Sequence, residues 1–209
     1  VDFPKKIGVQ IKKFYFDEND LLFKDFFTEL NLNETTHLVG PNGSGKSTLL
    51  LILCGFLTGK NISLKCDGKK ANYNIASSLR SFFSYVPQSI NLLNTSIEKN
   101  IILEKKYEKD FFNFICKELN INNLLKKNIK SDINKKLSGG EKQKIAIARA
   151  LYQKKPYLIL DEPFSSIDIQ TTKKIQKFLK RVDFLKGILI VSHQKMDDDF
   201  IDNTINILN

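Results

Sequence analysis

The chain has 209 residues, 42% of them hydrophobic and 27% charged, an ordinary globular balance with room for one domain and a substantial core. Its most apolar run, Leu49–Leu57, is nine residues long, short of the roughly 18–20 that cross a bilayer, so no membrane span is expected. The net charge of +10 rests on 30 Lys and only 3 Arg, beside 19 Asn and 24 Ile; base-reading surfaces favour Arg, so compositional drift is the simpler reading and no specific nucleic-acid partner is expected.

Residues 1–39 read as strands and turns, with Val9, Ile11, Phe14, Tyr15 and Phe16 in a β-rich opening and a turn at Asp17–Asp20. A short apolar strand, His37–Val39, runs into Gly40, and a helix follows over Ser47–Phe56. Ile62–Leu64 and Phe82–Val86 read as further strands, the second halted by Pro87. From about Asn91 to Lys136 the pattern is helical, with Phe111, Phe114, Ile115 and Leu119 at helix spacing, and is read as an inserted lobe. A helix over Gly139–Gln153, a strand over Tyr157–Leu160, a helix over Gln170–Arg181 and a buried strand over Gly187–Val191 complete the order. Continuously apolar strands alternating with helices predict an α/β fold: a mostly parallel sheet, an N-terminal antiparallel β region and a helical lobe at about 91–136 inserted in a core of about 1–90 and 137–209.

Cys54, Cys66 and Cys116 are scattered and odd in number, which argues against a disulfide framework or a zinc site. Asp2, Pro4, Lys5 and Lys6 stand where a secretory signal would be apolar, so the expectation is a chain soluble on its own that meets a membrane through a partner or a further segment. Its basic face is better suited to an anionic membrane surface than to reading bases.

Gly40-Pro41-Asn42-Gly43-Ser44-Gly45-Lys46-Ser47 fits G-x-x-x-x-G-K-[ST] without a mismatch, with a strand before it and a helix after. The glycines let backbone N–H groups converge on a phosphate at a helix N-terminus, Lys46 adds positive charge, and the Ser47 hydroxyl suits Mg²⁺. Tyr157-Leu-Ile-Leu-Asp161-Glu162 delivers two acids at a strand end. The first suits a metal's water shell and the second can polarise water. Because adjacent strand residues point to opposite faces, the two acids are expected to perform separate tasks. Ser138-Gly139-Gly140, ahead of a helix, forms a second anion-binding turn. One nucleotide needs no second such turn unless two copies share it.

Together these segments resemble the nucleotide-binding domains of ATP-binding-cassette proteins over essentially the whole chain, on a P-loop NTPase core. The motifs stand in family order: GPNGSGKST at 40–48, YVPQ ending at Gln88, LSGGEKQ at 137–143, YLILDEP at 157–163, SSID at 165–168, and His193. Ser138 lies 92 residues after Lys46, Asp161 lies 23 after Ser138, and His193 lies 31 after Glu162. The resemblance implies two copies packed head to tail around two ATP molecules, with a transmembrane domain, fused or separate, as partner at the cytoplasmic face of a membrane.

In that arrangement residues 40–46 with Ser47 and Thr48 hold the phosphates and Mg²⁺. Gln88 approaches the metal, Asp161 supports it, and Glu162 activates water. His193 contacts the γ-phosphate, Ser138–Gly140 serve the opposite copy's ATP, and Asp168 links the copies. Tyr15 or Phe16 would stack on the adenine. The stretch Tyr85–Ile101 looks like exporters, Asp161–Asp168 like importer subunits, and Lys130–Lys136 lacks an element usual in exporters, so the direction of transport stays open. The chain ends soon after the strand following His193, which suggests a minimal motor. Two other readings remain: a soluble cassette acting on nucleic acid or the ribosome, and a regulatory cassette that binds ATP without hydrolysing it. The 92-residue separation leaves no room for a long coiled coil, and the intact Lys46, Asp161, Glu162 and His193 argue for hydrolysis.

Overall fold

The computed structural model describes residues 4–17, 20–71, 79–127, 129, 132–194 and 196–207. Five short strands, β3 (Thr35–Val39), β6 (Phe83–Val86), β7 (Tyr157–Asp161), β8 (Gly187–Val191) and β9 (Asn203–Asn206), form a sheet in the order β6-β7-β8-β3-β9. Every pairing in it is parallel. Burial explains why these strands are apolar throughout: all five residues of β7 and all five of β8 are buried. Their alternation divides two cores. Leu158 and Leu160 of β7 and Ile188 and Ile190 of β8 pack with the helical side. Tyr157, Ile159, Leu189 and Val191 pack on the other face, with α1 (Lys46–Leu53) and the N-terminal strands.

Those N-terminal strands are two twelve-residue elements, β1 (Lys6–Asp17) and β2 (Asp20–Asn31), paired antiparallel and extended by β4 (Ile62–Cys66) and the short β5 (Lys69–Lys70) into a sheet of order β2-β1-β4-β5. Register shifts at Phe14/Tyr15 and Tyr15/Asp17 distort β1 near its end. The expected turn at Asp17–Asp20 includes residues 18 and 19, which lie outside the described residues, as do residues 130 and 131 of Lys130–Lys136.

Between the halves of the α/β core the chain forms α2 (Ile97–Ile102), α3 (Lys109–Glu118), α4 (Asn122–Lys126) and α5 (Ile133–Lys136). They pack against α6 (Gly139–Tyr152), and α7 (Ile169–Leu179) follows β7. Asn100 ties this region together. Fully buried, it accepts from Leu93 N at 2.8 Å and Arg149 Nη2 at 2.7 Å, and donates to the carbonyls of Leu93 and Ser96. Of the apolar residues read at helix spacing, Ile115 and Leu119 enter the core beside Phe112 and Cys116 and Phe111 packs half-buried against it, whereas Phe114 is exposed and stacks edge-on against Phe178 of α7. β3 starts before the apolar pattern does, because polar Thr35 and Thr36 are also buried in the sheet, and β4 runs on through Lys65 and Cys66, which pair with Gly8 and Ile7 of β1.

Candidate functional site

Four neighbouring strands of the parallel sheet end at one edge. Leu38 of β3 stands beside Val191 of β8, Val191 beside Asp161 of β7, and Leu160 beside Val86 of β6. The loops leaving these ends carry the phosphate-type turn after β3, Gln88 after β6, Glu162 after β7 and His193 after β8. Ligands of open α/β sheets gather in such a crevice outside the carboxyl ends of the strands. Here they line a pocket of about 430 Å³ bounded by Leu22, Asn42, Gly43, Gly45, Lys46, Ser47, Thr48, Gln88, Asp161, Glu162, Val191 and His193.

The turn between β3 and α1 is shaped by close packing. A side chain at Gly40 would meet the Ile207 carbonyl oxygen at 2.7 Å, and Gly45 has φ +90° with the Phe23 ring against it. Gly43, at φ +80°, faces open space. Lys46 is buried at the start of α1, and its Nζ donates to the carbonyls of Gly40 and Pro41, both at 2.8 Å. Those two contacts keep the ammonium satisfied and hold it over the turn. Ser44 Oγ, buried beside it, has no hydrogen-bond partner among the described residues. Ser47 and Gln88 are exposed to the pocket.

Asp161 and Glu162 are both buried, at 4% and 8% exposure. The strand alternation expected to separate them does not apply. Asp161 is the last strand residue, and Glu162 turns into the left-handed region at φ 49°, so both carboxylates line the same pocket. Tyr85 of β6 donates its hydroxyl to Asp161 Oδ2 at 3.3 Å. Burial and the neighbouring carboxylate push that phenol well above its ordinary range, so it remains a donor. Glu162 Oε2 accepts from the His193 backbone N–H at 3.4 Å, and His193 Nε2 lies 3.5 Å from Glu162 Oε1. That Oε1 is buried and makes no hydrogen bond among the described residues, and the His193 imidazole lies beside it. The loop carrying His193 is braced: His37 Nε2 lies 2.9 Å from the Ser192 carbonyl, and Gln194 Nε2 donates to the Phe164 carbonyl at 3.1 Å.

Ser138, Gly139 and Gly140 do not line this pocket. They form an exposed turn at the N-terminus of α6, where Ser138 Oγ accepts from Glu141 N at 3.2 Å and Ser138 N donates to Glu141 Oε2 at 2.8 Å. Lys127 neutralises Glu141 at 3.2 Å. Asp168 is exposed and caps α7, its Oδ1 accepting from Thr171 N at 2.9 Å. Tyr15 is nearly half exposed and is absent from the pocket lining, where Leu22 of β2 stands instead; the side chain of Phe16 lies outside the described residues. Sequence reasoning missed Tyr85 and Gln143. An aromatic in a strand and a Gln in a helix carry no signal until their partners are known.

The residues fit a nucleotide with a magnesium ion. The cradle offers backbone N–H groups and an ammonium whose present partners are carbonyls. Ser47, Gln88 and Asp161 are oxygen donors, the set Mg²⁺ prefers when phosphates complete its shell. Among the described residues no three His, Cys, Asp or Glu side chains cluster as an all-protein metal cage.

A family model described as ABC transporter matches residues 23–165, more than half of the chain. A Rickettsia typhi protein described as an export ATP-binding/permease protein is 32% identical over 90% of this chain and 34% of its own length. A Haemophilus influenzae protein described as an ABC transporter ATP-binding/permease protein is 31% identical over 98% of this chain and 38% of its own length. An ATP-dependent lipid A-core flippase of a Polaromonas species is 32% identical over 81% of this chain and 30% of its own length. The chain thus spans about a third of the length of the curated relatives it matches. Among solved structures, a bacterial Atm1-family ABC exporter with ATP bound superposes with a TM-score of 0.83 at 26% identity, covering 93% of this chain and 35% of that one. No helix of the described residues is long and apolar enough to cross a membrane.

Proposed function

This chain belongs to the ABC transporter family, and on that premise we propose that it binds and hydrolyses Mg-ATP as one of two cassettes that drive transport through a transmembrane domain. The observation that carries the reading is the convergence of Lys46, Ser47, Gln88, Asp161, Glu162 and His193 on one pocket at the carboxyl edge of the parallel sheet. Relatives described as ATP-binding/permease proteins, each nearly three times as long as the matched segment, support a membrane partner fused or bound to this chain, and the Rickettsia typhi relative, described as an export protein, supports export as the direction of transport.

In this reading Lys46 exchanges its carbonyl partners for phosphate oxygens, and the backbone N–H groups of residues 40–46 hold the anion at the start of α1. Bound Mg²⁺ would neutralise phosphate charge between Ser47, Gln88 and Asp161. Glu162, whose carboxylate lines the pocket beside His193, orients a water and takes its proton as the water adds to the γ-phosphorus and the bridging oxygen leaves with ADP. His193, next to that carboxylate, confines the water and the γ-phosphate. Ser138–Gly140, at the N-terminus of α6 and outside the lining of the chain's own pocket, serve the ATP of a second copy packed head to tail.

The test is ATP hydrolysis by the purified chain with the Lys46→Ala variant beside it. Mg-dependent phosphate release that rises faster than linearly with protein concentration, and ATP binding lost in Lys46→Ala, are expected. Turnover strictly proportional to protein concentration removes the shared-site dimer. Binding unaffected by Lys46→Ala removes the cradle.

A further inference from the structure

Gln143 stands one turn inside α6 from the Ser138–Gly140 turn and is 4% exposed. Each polar atom of its amide serves the loop that follows β7. Nε2 donates to Ser165 Oγ at 2.7 Å and to the Glu162 carbonyl at 3.3 Å, and Oε1 accepts from Ser166 N at 3.1 Å. The loop starts at Glu162 in a left-handed conformation, φ 49°, which a residue with a side chain keeps only when its surroundings over-determine it. Its far end presses on the turn. A Cβ at Gly140 would come 2.5 Å from the Ser166 carbonyl oxygen, and one at Gly139 would come 2.8 Å from Ser166 Oγ. Close packing of this kind leaves no slack between the turn and the backbone of Glu162.

We infer that Gln143 is a positioning residue for Glu162: its amide fixes the loop that aims the Glu162 carboxylate and joins that carboxylate to the Ser138–Gly140 turn as one body. The inference rests on the ATPase reading above. In a head-to-tail pair the turn meets the partner's ATP while Glu162 meets the chain's own, so Gln143 links the two sites inside each chain. A phosphate seated on the turn sets the loop, and the loop sets the carboxylate. The two glycines are then needed for contact with Ser166 as well as for approach to an anion.

The full chain carrying Gln143→Leu keeps the bulk of the side chain and loses its three hydrogen bonds. Its ATPase rate against ATP concentration, and its mass by light scattering with and without Mg-ATP, are measured beside wild type and Glu162→Gln. A fall in kcat of roughly 10- to 100-fold with KM unchanged is expected, together with the ATP-bound dimer that Glu162→Gln accumulates. A folded Gln143→Leu protein with the wild-type kcat overturns the inference. So does one that loses both turnover and the ATP-dependent dimer, which would assign Gln143 to the turn alone. Should the leucine variant not fold, Gln143→Asn, whose amide falls one methylene short of the loop, carries the same comparison. A Glu162→Gln control that turns over like wild type removes the catalytic role of Glu162 and the inference with it, whereas a wild-type protein without ATP turnover counts against the ATPase reading itself.

Discussion

The Tyr85 hydroxyl donates to Asp161 Oδ2 across neighbouring parallel strands, 3.3 Å apart. Tyr85 also lines a groove of about 500 Å³ with Cys54, Phe56, Arg80 and Arg149. One residue therefore borders both this groove and the acid proposed to hold the metal. A Tyr85→Phe variant keeps the ring and frees one oxygen of Asp161. Its Mg²⁺ requirement for nucleotide binding, measured by calorimetric titration, is expected to weaken about tenfold, the usual worth of a hydrogen bond to a charged group. An unchanged Mg²⁺ dependence would assign Tyr85 to packing alone.

Gly140→Ala brings a methyl group against the Ser166 carbonyl oxygen at 2.5 Å, and backbone cannot swing aside as a flexible side chain can. The overpacking is expected to destabilise the fold by about 1–3 kcal/mol. Denaturant unfolding checks it. A neutral effect would mean that the loop has room that the close contact denies.

Asp202 precedes β9 and accepts from Thr35 N at 2.7 Å and from Lys180 Nζ at 2.9 Å, joining β3, β9 and α7. Burial pushes its pKa up, but the backbone hydrogen bond and the lysine outweigh that, and the carboxyl is held below the usual range. A folded pKa below the unfolded one gives stability that is present above the unfolded value and is lost as pH falls through the folded one. Asp202→Asn should therefore lower Tm at neutral pH, with an effect that starts to fade below about pH 4 and is lost as pH falls through the lower folded value. A Tm difference that persists in acid would assign the effect to packing.

Burial pushes the thiols of Cys54 and Cys116 up to about 12, so neither supplies thiolate at neutral pH. Cys66, at the edge of β4, is partly accessible. Mass spectrometry after maleimide treatment of the native protein is expected to find Cys66 modified first, with Cys54 and Cys116 reacting only on unfolding. Early labelling of Cys54 would reveal an open groove beside Tyr85.

Much of the fold was legible because its strands are buried on both faces. Tyr157–Leu160 and Gly187–Val191 are continuous apolar runs, the pattern of strands covered on both faces in a parallel sheet. The phosphate-type turn was legible for a different reason: Gly40 and Gly45 stand where sterics or a positive φ leave no other residue. The exposure of Phe114 was not, since Phe111, Phe112 and Phe114 are equally apolar and only packing against Tyr152 and the rest of the core decides which of them is covered. Nor was the conformation of Glu162. Alternation describes a strand, and the chain leaves the strand one residue before it. Tyr85 and Gln143 were invisible because their roles depend on residues 76 and 19 positions away.

The central claim is that two copies share two ATP molecules and that Glu162 is needed for turnover but not for binding. Size-exclusion chromatography with light scattering on Glu162→Gln, with and without Mg-ATP, tests it most directly. A shift from monomer to dimer that requires Mg-ATP is the predicted result. A protein that binds ATP and remains monomeric at every concentration would contradict the shared-site dimer.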